Sequence, residues 1–112
     1  LLLMAFKEEG SYNNTMAITT VYTGDTIRIK GTFKNSSNVL IDADANAVTF
    51  TVYSYETKKI LSTGNASRLS AGIFYYDYEV PSTETKYIVE LKGDFDGYPQ
   101  LARSVIKAKF RI

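Results

Sequence analysis

The chain has 112 residues, 45% of them apolar and 22% charged, with a formal net charge of +1. This is enough for one domain with a buried core, and too little charge for general attraction to nucleic acid or anionic lipid. It contains no cysteine and no histidine, which excludes disulfides, thiolate metal sites and cysteine nucleophiles, and removes the commonest general base and transition-metal ligand.

The opening "LLLMAFKEEG" has neither the basic start and longer apolar run of a signal peptide nor the roughly 20 apolar residues of a membrane span. No membrane insertion is expected. Residues 1–14 read as an N-terminal extension, disordered or cloning-derived in part, with Met4 a native start after leftover Leu1–Leu3 or the chain a domain excised from a longer one, and residues 15–112 as a single domain.

From there the period is two. A strand is expected over Met16–Tyr22, and "TGD" at 23–25 turns into "TIRIKGTFK" (26–34), where Ile27, Ile29 and Phe33 alternate with Arg28, Lys30 and Lys34. "NSSN" (35–38) and "DADAN" (42–46) form a long polar connection around Val39, Leu40 and Ile41. "VTFTVYS" (48–54) places Val48, Phe50 and Val52 inward and Thr49, Thr51 and Tyr53 outward. A short strand covers Lys59–Ser62, and "TGN" (63–65) opens a loop. Strands at 72–80, 86–93 and 104–112 follow, the last with Ile106, Ala108, Phe110 and Ile112 on its apolar side. "DG" at 96–97 signals a tight hairpin because both residues tolerate positive φ. No segment holds a helical apolar period. The expectation is an all-β chain of about seven antiparallel strands, closed into a sandwich to bury one-sided strands.

"GIFYYDYEVP" (72–81) carries four rings. Alternation turns Phe74, Tyr76, Tyr78 and Val80 inward and leaves Tyr75 outside with Asp77 and Glu79, while Pro81, lacking a donor, ends the strand. With "KYIVELKGDFDG" and "ARSVIKAKFRI", this stretch resembles the C-terminal half of immunoglobulin-like sandwich modules of bacterial and archaeal surface proteins, macroglobulin-type chains and phage virion proteins. The matching positions are Gly72, Phe74, Tyr76, Tyr78, Pro81, Tyr87, Gly97 and Phe110. "GDTIRIKGTF" and "VTFTVYS" resemble the family's second and third strands, so the likeness spans about residues 21–112. Tyr87 stands where antibody domains carry a tyrosine corner, but the chain lacks their cysteines and any tryptophan. The resemblance implies a fold and no activity.

Three sets of residues are candidates for a site. Asp42, Asp44 and Asn46, with Asp94 and Asp96, lie in loops that a sandwich of this kind puts at one end. They are candidate Ca²⁺ ligands, although Ala47 and Tyr53 break the EF-hand pattern and aspartate is also an ordinary turn residue. Tyr53, Tyr55 and Tyr98 are a candidate contact surface for a protein or a glycan. The cations of the second and last strands have a structural account: Arg28 and Lys30 face Asp77 and Glu79, and Lys107 or Lys109 faces Glu90, each pair contributing roughly 0.2–1 kcal/mol. Asn13, Asn35 and Asn65 begin N-x-S/T triplets, as suits a surface location. The expectation is a non-enzymatic spacer, decoration or adhesion module of an extracellular, cell-surface or virion assembly. It would act through a protein partner or self-association, with strand edges at 16–22 and 59–62 open to pairing and with no required cofactor or nucleic acid. A carbohydrate-binding module is the alternative.

Overall fold

The computed structural model describes residues 2–7 and 18–112. The domain boundary at residue 15, Met16 and the Asn13 triplet fall outside these residues. Eight strands appear: β1 (Leu2–Lys7), β2 (Ile18–Tyr22), β3 (Thr26–Lys34), β4 (Val48–Ser54), β5 (Ile60–Ser70), β6 (Ile73–Glu79), β7 (Lys86–Phe95) and β8 (Tyr98–Lys109). They form one sheet in the order β1-β3-β6-β5-β4-β7-β8-β2. Strands β2 to β8 correspond to the seven expected runs, and β1 adds an eighth. No helix among the described residues is long and apolar enough to cross a membrane.

The sheet is mixed, where an antiparallel one was expected. β1 pairs with β3 and β2 with β8 in parallel; the other pairs are antiparallel. The reason for the β2–β8 pairing lies in the turn at 23–25. Thr23 N donates to Lys109 O, and Gly24 N donates to Val80 O. The turn therefore hands the chain from β8's side of the molecule to β6's side instead of folding β2 and β3 into a hairpin.

β5 performs the other crossing. Its residues 60–66 pair with β4 and its residues 67–70 with β6, so one strand bends from one half of the sheet into the other. The expected loop at 63–65 is instead strand, and the short strand at 59–62 runs to Ser70. Its Ser, Thr, Asn and Gly residues have no apolar period. They are held extended by the ladders on either side. Gly64 is required here, because a Cβ would stand 2.6 Å from the Tyr76 ring.

The bend folds the sheet back on itself until it is nearly barrel-like. Phe33 of β3 and Phe95 of β7, from strands that are not neighbours, meet at 4.8 Å between ring centroids. Phe50 and Tyr76 stack at 4.2 Å and 9°, an arrangement that contributes about 0.5–1.5 kcal/mol beyond area burial. Ile29, Phe33, Phe50, Val52, Phe74, Val80, Val89, Leu91 and Ile106 are fully buried. The rings of β6 divide as alternation predicts: Phe74 and Tyr78 are buried and Tyr76 packs on the core, with Tyr75 on the other face. Burial pushes the Tyr78 hydroxyl up to about 12, with smaller contributions from Tyr87 and Tyr76.

At its end β8 departs from expectation. It stops at Lys109, leaving Phe110 and Ile112 exposed outside the strand. Phe110 N donates to the Glu84 side chain instead of to a neighbouring strand.

Candidate functional site

The β7–β8 hairpin sets the geometry of the outer face. Asp96 (φ 53°) and Gly97 (φ 82°) form its two-residue turn, and Phe95 pairs with Tyr98. Counting outward from that turn, Glu90 lies opposite Arg103, and Lys86 opposite Lys107. Glu90 is thus answered by Arg103, and neither Lys107 nor Lys109 faces it as expected. On β3 and β6 the Arg28–Asp77 pair forms at 2.8 Å, while Lys30 lies opposite Tyr75 and Glu79 opposite Thr26. Arg28 also covers the Tyr75 ring at 4.1 Å.

Glu90 is 3% exposed although it belongs to the outward set of β7. Tyr53 Oη donates to its Oε1 at 2.9 Å, and Arg103 Nε donates to its Oε2 at 2.8 Å. Both carboxylate oxygens are satisfied, which removes most of the cost of burying the charge. Burial, reinforced by Glu90, pushes the Tyr53 hydroxyl above its usual range. Beside this group, Tyr53, Lys58, Ile88 and Arg103 line an open recess of about 360 Å³.

Tyr55 is half-buried, with Lys58 Nζ 4.7 Å and Lys86 Nζ 5.1 Å from its ring centroid. Tyr98 is 71% exposed. It pairs with Phe95, whereas Tyr53 pairs with Ile88. Seven residues of extended β7 separate those positions, roughly 23 Å at ~3.3 Å per residue. Tyr98, opposite Phe95, also falls on the core-facing side of the sheet beyond the end of the core, whereas Tyr53, opposite Ile88, is on the outer side; the structure does not bring the three into one patch.

The aspartates are brought to one end only in part. Asp44, in a single 3₁₀ turn, reaches the β7–β8 hairpin as the loop argument expected, but it does so by accepting the backbone N–H groups of Asp96 (3.1 Å) and Gly97 (2.9 Å). Asp42 turns elsewhere, accepting from Arg68 Nε (3.0 Å) and Gly72 N (2.8 Å). The hydrogen bond from Arg68, then that from Gly72, holds its carboxyl below the usual range. Asp94 lines a recess of about 420 Å³ on the outer face with Thr49, Thr51, Glu90 and Lys92. No group of three or more acidic side chains is gathered among the described residues in a way that would hold a metal ion.

Sequence reasoning passed over the Tyr53–Glu90–Arg103 cluster and the Lys86–Lys107 pair. The signal for both was present: a two-residue turn at 96–97 dictates every cross-strand partner of β7 and β8. Comparison adds no identity, since no family model matches the chain and no curated protein matches it significantly.

Proposed function

We propose that this chain is an immunoglobulin-like β-sandwich module with a non-enzymatic role, serving as a spacer, decoration or contact domain of an extracellular, cell-surface or virion assembly. Two features support the fold reading. Tyr87 Oη donates to Thr83 O four residues upstream, the geometry of a tyrosine corner. The ladders also fall into two groups, β1-β3-β6 and β4-β7-β8-β2, joined by β5.

The observation that carries the functional reading is the free edge of β5. On the side away from β4, residues 60–66 have no ladder partner among the described residues. This stretch bears no charge, and Ile60 and Leu61 are 56% and 51% exposed. Natural sheets protect their edges with charges, proline or bulges; an uncharged edge that opens on exposed Ile60 and Leu61 suits strand addition by another chain. β2 is a second edge, paired only with β8 among the described residues.

Sedimentation of the chain and of an Ile60→Lys/Leu61→Lys variant, alongside a glycan array, tests the reading. The expected result is association that the two lysines abolish, with no glycan signal. A strictly monomeric chain that binds glycans equally well with and without the substitutions would replace this reading with a carbohydrate-binding one.

A further inference from the structure

We infer that the lysine-lined recess at Tyr55 docks a short acidic segment of a partner protein, one or two carboxylates entering between Lys86, Lys107 and Lys109. The inference rests on the reading of the chain as a contact module and specifies the chemistry of one contact.

The four arginines and the nine lysines of the chain are treated differently by the fold. Every arginine is matched to a carboxylate: Arg28 to Asp77, Arg68 to Asp42, Arg103 to Glu90 and Arg111 to Asp25. None of the lysines from Lys30 to Lys109 forms such a bridge with a described residue. Lys86 and Lys107 are the extreme case, because the β7–β8 register sets them directly opposite each other. Like charges in that relation destabilise a sheet. Lys86 Nζ also stands 5.1 Å from the Tyr55 ring centroid; Lys58, on the same ring, donates to Tyr55 O and lies outside the recess. Lys109 follows Lys107 on the outward side of β8 and is the third lysine lining the recess. Between them lies a recess of about 320 Å³. An anion seated there turns a repulsive pair into a bidentate clamp.

The rim selects the kind of anion. Glu56 and Glu84 line the same recess, so the positive region is small and bounded by negative charge. A nucleic-acid backbone or an anionic bilayer brings many charges in a row or a plane, and some would fall on these glutamates. A peptide with one or two acidic side chains places its charge on the lysines alone. Lysine also suits this use, since it neutralises as a mobile point charge and imposes no planar fork on its ligand.

The test is an NMR titration of the full chain with a short peptide carrying two glutamates, its diglutamine counterpart, oligouridylate, and phosphatidylserine vesicles. The glutamate peptide should shift the amides of Tyr55, Lys86 and Lys107. Its affinity should fall on the order of tenfold in a Lys86→Gln/Lys107→Gln variant, and fall again when salt is raised to about 0.3 M. That variant should melt no lower than the parent, because a repulsive pair has been removed. The inference is overturned by an equal response to the diglutamine peptide, by no shift at those amides, by tighter binding of oligouridylate or vesicles, or by a variant that binds like the parent. If the peptide fails while association through β5 is still abolished by Ile60→Lys/Leu61→Lys, only this inference falls; if both fail, the contact-module reading falls with it.

Discussion

The two faces of β4 use aromatic residues in opposite ways. Inward, Phe50 is fully buried and stacks on Tyr76, whose ring comes so close to Gly64 that a Cβ there would meet it at 2.6 Å. Outward, Tyr53 spends its hydroxyl on a buried carboxylate and leaves its ring beside Arg103. The first arrangement is shape: removing atoms leaves a hole and adding them causes a clash. The second is polar satisfaction, where the cost of change depends on which partner is left without a bond. Position in the alternation decides which rule a ring obeys.

This contrast can be pressed experimentally. Phe50→Ala should have the largest effect, about 3–5 kcal/mol by denaturant unfolding, because a fully buried ring leaves a cavity. Next, Gly64→Ala should cost about 1–3 kcal/mol: the added methyl meets a ring stacked on Phe50. A neutral result there would mean that Tyr76 is free to move. On the outer face, Tyr53→Phe should cost about 1.5–3 kcal/mol, the range for a hydrogen bond to a charged group, since it removes one of the two side-chain bonds to buried Glu90. Double-mutant cycles of Tyr53→Phe with Arg103→Gln should reveal coupling, whereas Tyr53→Phe with Phe50→Leu should be nearly additive despite their proximity on one strand.

Titration separates the faces as well. Burial pushes the Tyr78 hydroxyl up to about 12 from its ordinary value of 10.0. Its folded-state value is raised, so the associated stability is intact below pH ~10 and is lost as pH climbs towards ~12. Phenolate absorbance from Tyr78 should therefore grow together with the loss of folded signal as pH climbs towards ~12. In the acid range, Asp42 and Asp77 are held below the usual carboxylate value by hydrogen bonds from Arg68 and Arg28 respectively. Their contribution is present above that value and is lost as pH falls through it, which unfolding midpoints between about pH 5 and 2 would follow. The smallest effect should come from Ca²⁺. Asp42 and Asp44 already hold internal donors, so the melting temperature should not move on its addition; a rise would reinstate the aspartates as a cation site.

How much of this was legible depended on the range of the interactions involved. The faces of β3, β4 and β6 could be read because each alternates apolar with polar residues and one face is dry. Asp44 reaching the 96–97 hairpin followed from loop placement, yet its use of backbone N–H groups did not, because the side chain could equally have faced an ion. The grouping of Tyr98 with Tyr53 and Tyr55 overlooked the register, which puts it opposite inward Phe95, far along β7 and on the other side of the sheet from Tyr53. β5 was illegible beyond Ser62. "STGNASRLS" carries turn-forming residues, and only the ladders of β4 and β6 make it a strand.

Two things were therefore decided by the amino-acid string alone: which side of most strands is dry, and, through Asp96 and Gly97, which residues of β7 and β8 stand opposite one another. Both are local, set by a two-residue period and by backbone angles that few residues accept. The parallel seating of β2 on β8, the crossing of β5 between the two halves, and the meeting of Phe33 with Phe95 were decided only by the folded molecule. Each joins segments far apart in the chain, where no local preference can choose among partners and the fit of the whole core selects one.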